Sequence, residues 1–326
     1  MSHHPLAATL SRFALALSIA FAGACGPTIV GLYPVSGDTF GFKPLPPPPP
    51  PYGPFDASLT PDKQFDALVA GWRTRLSANG TPGGAIAVVL DGQLRFAAGV
   101  GTRELGRDEP ISATTRFRVA SISKMLIAAT IMSLVEHDGV ALHHPLTDYV
   151  PYFHRGTGYD ASAVTLEMLL DHTGGIPDSV YCPDGASLRT TVDFHANGPY
   201  WSPPGRLFNY SNADYSLLAS VIEETTKRPF EDVVVERILR PAGMTTALYT
   251  ASESDADLAR GHVAGQVAWS HPTDCEASRA AGGLIASVTD FAHFAEVLLA
   301  KGGTVLSPDS VAAMSKGKAL MQSAPL

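Results

Sequence analysis

The chain has 326 residues and a formal net charge of −8, with 45% hydrophobic and 17% charged residues. That length and apolar content support a sizeable core and exclude disorder throughout. The acidic balance, with no block of Lys and Arg, argues against a nucleic-acid partner, whose phosphates demand a basic footprint, and leaves small-molecule or peptide substrates.

Residues 1–24 read as an export signal: Arg12 precedes an apolar run from Phe13 to Ala24, too short to span a bilayer as a helix. Ala22-Gly23-Ala24-Cys25 resembles a bacterial lipoprotein cleavage site, with alanine in place of the usual leucine at its first position. Lipidation of Cys25 is therefore expected, ordinary cleavage nearby being the alternative. His3 and His4 would leave with the signal. The expected location is the bacterial cell envelope, or the medium if no lipid is attached. The membrane would be touched only through that N-terminal lipid. Cys182 and Cys275 then remain, and in an oxidising compartment they either form a disulfide or stay as two buried thiols.

Residues 25–58 are rich in Gly and Pro, with consecutive prolines over 46–51, and read as an extended tether of about 3.1 Å per residue. Residues 59–326 form the remaining domain. Phe65, Leu68, Val69, Trp72 and Leu76 recur at helical spacing up to a stop at Asn79-Gly80. Ala85–Leu90 and Gln93–Val100 are apolar runs joined by Asp91-Gly92, a strong hairpin signal. Met125, Leu126, Ala129, Met132 and Val135 mark a helix running from Ser121 to Gly139. Further helices are expected over Ala213–Thr226, Pro229–Leu239 and Asp290–Lys301. The middle of the domain is thus a helical lobe. There is no internal repeat, Gly-x-Ser-x-Gly elbow, His-Glu-x-x-His pair or dinucleotide fingerprint. His137, His143, His144 and His154 lack ligand spacing and read as surface or satisfied core residues. No metal and no cofactor is expected.

Ser121-Ile122-Ser123-Lys124 places a hydroxyl and an amine on one helix face, about 5–6 Å apart at Cβ. A serine hydroxyl needs a base beside it to become a nucleophile, and a lysine serves if burial lowers its pKa. A second Ser-x-x-Lys, Ser315 to Lys318, has no matching context, whereas Tyr210-Ser211-Asn212 supplies the chain's one Tyr-x-Asn. Taken singly, Ser121 could cap a helix, Lys124 could be a solvated lysine and Tyr210 a core aromatic. All three together in this order point to an acyl-enzyme site.

The segment Phe117 to Lys124 resembles the nucleophile segment of the serine β-lactamase family, which includes class C β-lactamases, DD-peptidases and related esterases. The resemblance continues through Leu169 to Gly175, Pro204 to Asn212, Pro241 to Met244 and Ala281 to Leu284. It implies an α+β fold in which a helical lobe packs on an antiparallel sheet. It also implies that Ser121 is the nucleophile, Lys124 the base and Tyr210 the proton carrier. Asn212 would orient Lys124 and, with Ser121, contact the substrate. His172-Thr173-Gly174 imitates the family's third motif but precedes Tyr210, so it reads as a structural turn. No Lys-Thr-Gly or His-Thr-Gly segment follows Ala281-Gly282-Gly283. The expectation is therefore a domain lacking its C-terminal part, with an incomplete sheet, one oxyanion donor fewer and a complementing C-terminal segment as a partner.

The resulting functional expectation is an exported serine hydrolase acting on β-lactams, D-alanyl peptides or small esters, as a carboxypeptidase or esterase would. The alternatives are an impaired penicillin- or peptidoglycan-binding or sensing module, and a non-functional fragment.

Overall fold

The computed structural model describes residues 15–19, 61–154, 160–178, 186–251, 255–263, 266–267 and 276–316. Cys25, Cys182 and Cys275, and with them the lipidation and disulfide expectations, lie outside the described residues, as does Lys318. Among the described residues no helix is long and apolar enough to cross a membrane.

One antiparallel sheet has the order β1 (Leu15–Ile19), β2 (Gly83–Leu90), β3 (Gln93–Gly101). The hairpin forms where Asp91-Gly92 predicts it. Leu90 pairs with Gln93, and Asp91 and Gly92 have φ of 53° and 72°, the left-handed pair that a two-residue turn of matching twist requires. The unexpected member is β1, which comes from the apolar run read as an export signal. Its backbone pairs with β2 from Leu15 opposite Val89 to Ile19 opposite Ala85.

Strand β2 is buried on both faces. Ile86 joins Val100, Trp72 and Leu76 beneath helix α1 (Pro61–Ala78), with Phe65 stacked on Phe96 at 4.7 Å. Ala85, Ala87 and Val89 point the other way into the main core, because successive side chains alternate across a strand.

The main core belongs to the helical lobe. A short pair, β4 (Phe117–Arg118) with β7 (Ile285–Ala286), leads into a 3₁₀ turn over Ala120–Ile122 and helix α2 (Ser123–His137). Leu126, Ile127, Ala129, Ile131 and Leu134 make α2 buried nearly all round, so it is the lobe's central helix. Helices α6 (Asn212–Thr226) and α7 (Phe230–Val234) pack on it, and α3 (Leu146–Tyr149), α4 (Leu166–Leu170) and α5 (Leu188–Ala196) pack on α6. The helix expected over 229–239 is present, but its second half, Val235–Leu239, widens to a π-turn. After a two-residue pair, β5 (His262–Val263) and β6 (Gln266–Val267), come α8 (Glu276–Gly282), α9 (Val288–Leu299) and α10 (Pro308–Ser315). Helix α9 covers the sheet face opposite α1, and Glu296 accepts from the Leu94 amide. The architecture is the α+β arrangement expected, a helical lobe on an antiparallel sheet.

Candidate active site

Three chain segments converge at the start of α2. The first is the nucleophile turn. Ala120 has a φ of 46°, a left-handed conformation that costs a non-glycine residue energy. The bend leaves Ser121 exposed on the 3₁₀ turn while Ser123 and Lys124, in the first turn of α2, go inward. Ser123 Oγ locks the bend by donating to the Ala120 carbonyl at 2.6 Å and accepting from the Leu284 amide at 3.0 Å.

The second segment is Tyr210-Ser211-Asn212, which enters α6 with Ser211 at the N-cap position. The third is the last turn of α8, where the Ala281 carbonyl faces the site. Lys124 Nζ donates to Asn212 Oδ1 and to that carbonyl, each at 2.8 Å, and lies 3.3 Å from Ser121 Oγ. Tyr210 donates its hydroxyl to the same Oγ at 2.6 Å. Lys124 is only 6% exposed. Burial pushes its amine down to about 8, against the opposing pull of Asp178 and Asp214.

All four predicted site residues, Ser121, Lys124, Tyr210 and Asn212, are thus brought together. The ordinary alternative for each of the first three fails on geometry. The α2 N-cap is Ile122, with no side-chain cap; Lys124 is buried; and Tyr210 is 40% exposed. Ser315, from the second Ser-x-x-Lys, sits in α10 and donates to the Val311 carbonyl one turn back.

Sequence reasoning missed three neighbours. Asp178 Oδ1 accepts from the Asn212 amide at 2.8 Å and from Asn212 Nδ2 at 3.1 Å, so it turns the side-chain oxygen of Asn212 toward Lys124. His172 lies in the turn after α4, as its reading as a turn residue expected, but its ring packs 4.6 Å from that of Tyr210. Asp214, in the first turn of α6, lies 3.2 Å from His172 Nδ1. Asp178 and Asp214 lie just beyond the ends of two segments that carry the resemblance, Leu169 to Gly175 and Pro204 to Asn212, and that proximity is the one signal that could have drawn attention to them.

A family model described as Beta-lactamase matches residues 62–325. The chain belongs to the beta-lactamase family. Among curated relatives of this beta-lactamase-family chain, the D-alanyl-D-alanine-carboxypeptidase/endopeptidase AmpH of Escherichia coli is 28% identical over 178 residues, covering 52% of this chain and 46% of AmpH. Protein flp of Staphylococcus aureus is 26% identical over 169 residues, covering 50% of this chain and 34% of flp. The chain thus spans less than half the length of these relatives in the matched region. Among solved structures, the octameric penicillin-binding protein homologue from Pyrococcus abyssi superposes with a TM-score of 0.67 at 24% identity, over 79% of this chain and 60% of that one. EstCE1, a hydrolase with promiscuous acyltransferase activity, gives 0.67 at 19% identity, over 77% and 76%. These likenesses establish the fold of the beta-lactamase family for this chain.

Proposed function

We propose that the chain is a serine hydrolase working through an acyl-enzyme, with Ser121 as nucleophile, Lys124 as base and Tyr210 as proton carrier. The observation that carries this reading is how Lys124 distributes its hydrogen bonds. A neutral amine has two N–H groups and one lone pair. The Asn212 side-chain oxygen and the Ala281 carbonyl can only accept, so they take the two N–H groups. The lone pair is left for Ser121 Oγ, which can donate.

In the step that follows, Oγ bonds to a substrate carbonyl carbon as its proton passes to Lys124 or through Tyr210, and the carbonyl electron pair moves onto oxygen. Collapse breaks the bond to the leaving nitrogen or oxygen, which takes the proton from Tyr210. Water then attacks the acyl-enzyme by the same route, releasing the acid and restoring Ser121.

The names of the family and of AmpH support β-lactams and D-alanyl peptides as substrate classes, and the acyl-transfer chemistry of the site extends to small esters. The composition of residues 1–25 supports export, with a lipid on Cys25, to the cell envelope. The test is labelling by a fluorophosphonate or a labelled penicillin. The wild type should be modified and Ser121→Ala should not, while unchanged labelling of Ser121→Ala would overturn the assignment. Labelling without ester turnover would instead favour a binding or sensing module.

A further inference from the structure

Next to Tyr210 lies a pair of buried titratable groups that this acyl-transfer reading does not use. His172 is 8% exposed and Asp214 1%. His172 holds both ends of the residue that matters: its carbonyl accepts from the Asn209 amide at 2.8 Å, and its Nδ1 accepts from the Ser211 amide at 3.2 Å. Its ring lies against the Tyr210 ring between them. The orientation of this one imidazole therefore sets the path of residues 209–211 and the position of the Tyr210 hydroxyl.

Asp214 Oδ2 approaches the same Nδ1 at 3.2 Å. The Ser211 amide can only donate, so the nitrogen it points at carries no proton. A carboxylate oxygen beside that nitrogen would set two lone pairs against each other. Its second oxygen, Oδ1, has no hydrogen-bond partner among the described residues and sits against Gly174. An ionised carboxylate so placed would be buried and uncompensated.

We infer that Asp214 carries a proton and that its hydroxyl and the Ser211 amide share the one lone pair of His172 Nδ1, so that the two side chains form a neutral brace positioning Tyr210. This inference rests on the acyl-enzyme reading of the site for its functional meaning, but not for its geometry. His172 and Asp214 act through the Tyr210 segment and are positioning residues. The groups facing the pair are Lys124 from α2, Asp178 from the loop after α4, Tyr210 before α6 and Tyr215 within it. Burial, joined by the Lys124 charge, pushes the imidazole down to about 4, and burial pushes the Asp214 carboxyl well above the usual carboxylate range. Both directions agree with the hydrogen-bond count. Neutrality has a consequence for the base as well. An ionised Asp214 raises the pKa of Lys124, so a neutral one leaves a larger fraction of the amine with its lone pair free at a given pH.

The direct test is nitrogen NMR of His172 in the full chain. Through the neutral range Nδ1 should report an unprotonated nitrogen and Nε2 a protonated one; a protonated Nδ1 overturns the proposal, whatever the activity. Kinetics supply the second readout, using the rate at which a fluorophosphonate phosphonylates Ser121 with loss of fluoride. Asp214→Asn keeps a neutral donor, and its rate and pH profile should match the wild type. A profile moved to lower pH in Asp214→Asn would mean that a negative charge had been removed, and would also overturn the proposal. Asp214→Leu removes the donor and should lower the maximal labelling rate by about tenfold with little change in the half-saturating reagent concentration. A wild type that fails to label at Ser121 would count against the acyl-enzyme reading alone, since the nitrogen spectrum does not depend on it.

Discussion

Lys124 is placed where a lysine is least comfortable, and its function requires that. Because acylation needs the neutral amine, the rate should rise with pH along a limb centred near 8, the value to which burial brings this side chain. Lys124→Arg should abolish acylation although the charge is kept, since guanidinium does not lose its proton. The same shift has a stability counterpart. A lysine titrating near 8 when folded and near 10.5 when unfolded means that the unfolded chain binds more protons between those values, so stability rises with pH across that window. The full gain is on the order of 3 kcal/mol. The difference in unfolding free energy between wild type and Lys124→Met should carry this slope, and a difference flat from pH 8 to 10.5 would contradict the burial argument. Ser121-x-x-Lys124 and Tyr210-x-Asn212 were each legible as a short-range pattern, and the resemblance to a known family joined the two pairs across 88 positions. The Ala281 carbonyl was not, since a backbone acceptor 157 positions away has no side-chain identity to read.

At the scale of elements, local signals succeeded and pairings across the chain did not. The 83–101 hairpin follows from Asp91-Gly92, and α1 from its apolar spacing. By contrast, β4 and β7 are two residues each and pair over more than 160 positions, too short and too distant for any periodicity. Helix α9 was expected to begin at Asp290, but it begins two residues earlier because Ser287 is its cap. Ser287 Oγ accepts from the Asp290 amide while Asp290 Oδ2 accepts from the Ser287 amide, closing a capping box, and Asp290 also takes the Thr246 amide and hydroxyl. Ser287→Ala should therefore cost about 1–2 kcal/mol, seen as a lower denaturant midpoint at unchanged slope. Since α9 is the helix that covers the sheet, the loss should appear in global unfolding and not as local fraying.

For the molecule as a whole, the sheet lies between α1 on one face and α9 on the other, so β2 has apolar neighbours on both sides and its backbone pairs at both edges. Removing residues 1–24 takes β1 away and leaves the outer edge of β2 without its partner from this segment, a template for another strand. That shortened chain should self-associate more than the full chain at equal concentration; equal sedimentation of the two would show that β1 protects nothing. The fold class was readable through the resemblance to a known family, and the order of helix, hairpin and helical lobe agrees with it. Strand β1 was not, because its residues also fit the pattern of a leader. Both readings name the same five residues, so the choice between them becomes one of timing. During synthesis, the 63 residues between Ile19 and Gly83 take several seconds to make at about 5–20 residues per second. Through that interval the first segment has no partner to pair with. An export machinery acting within those seconds takes a leader, and one acting later meets a strand already held in its sheet.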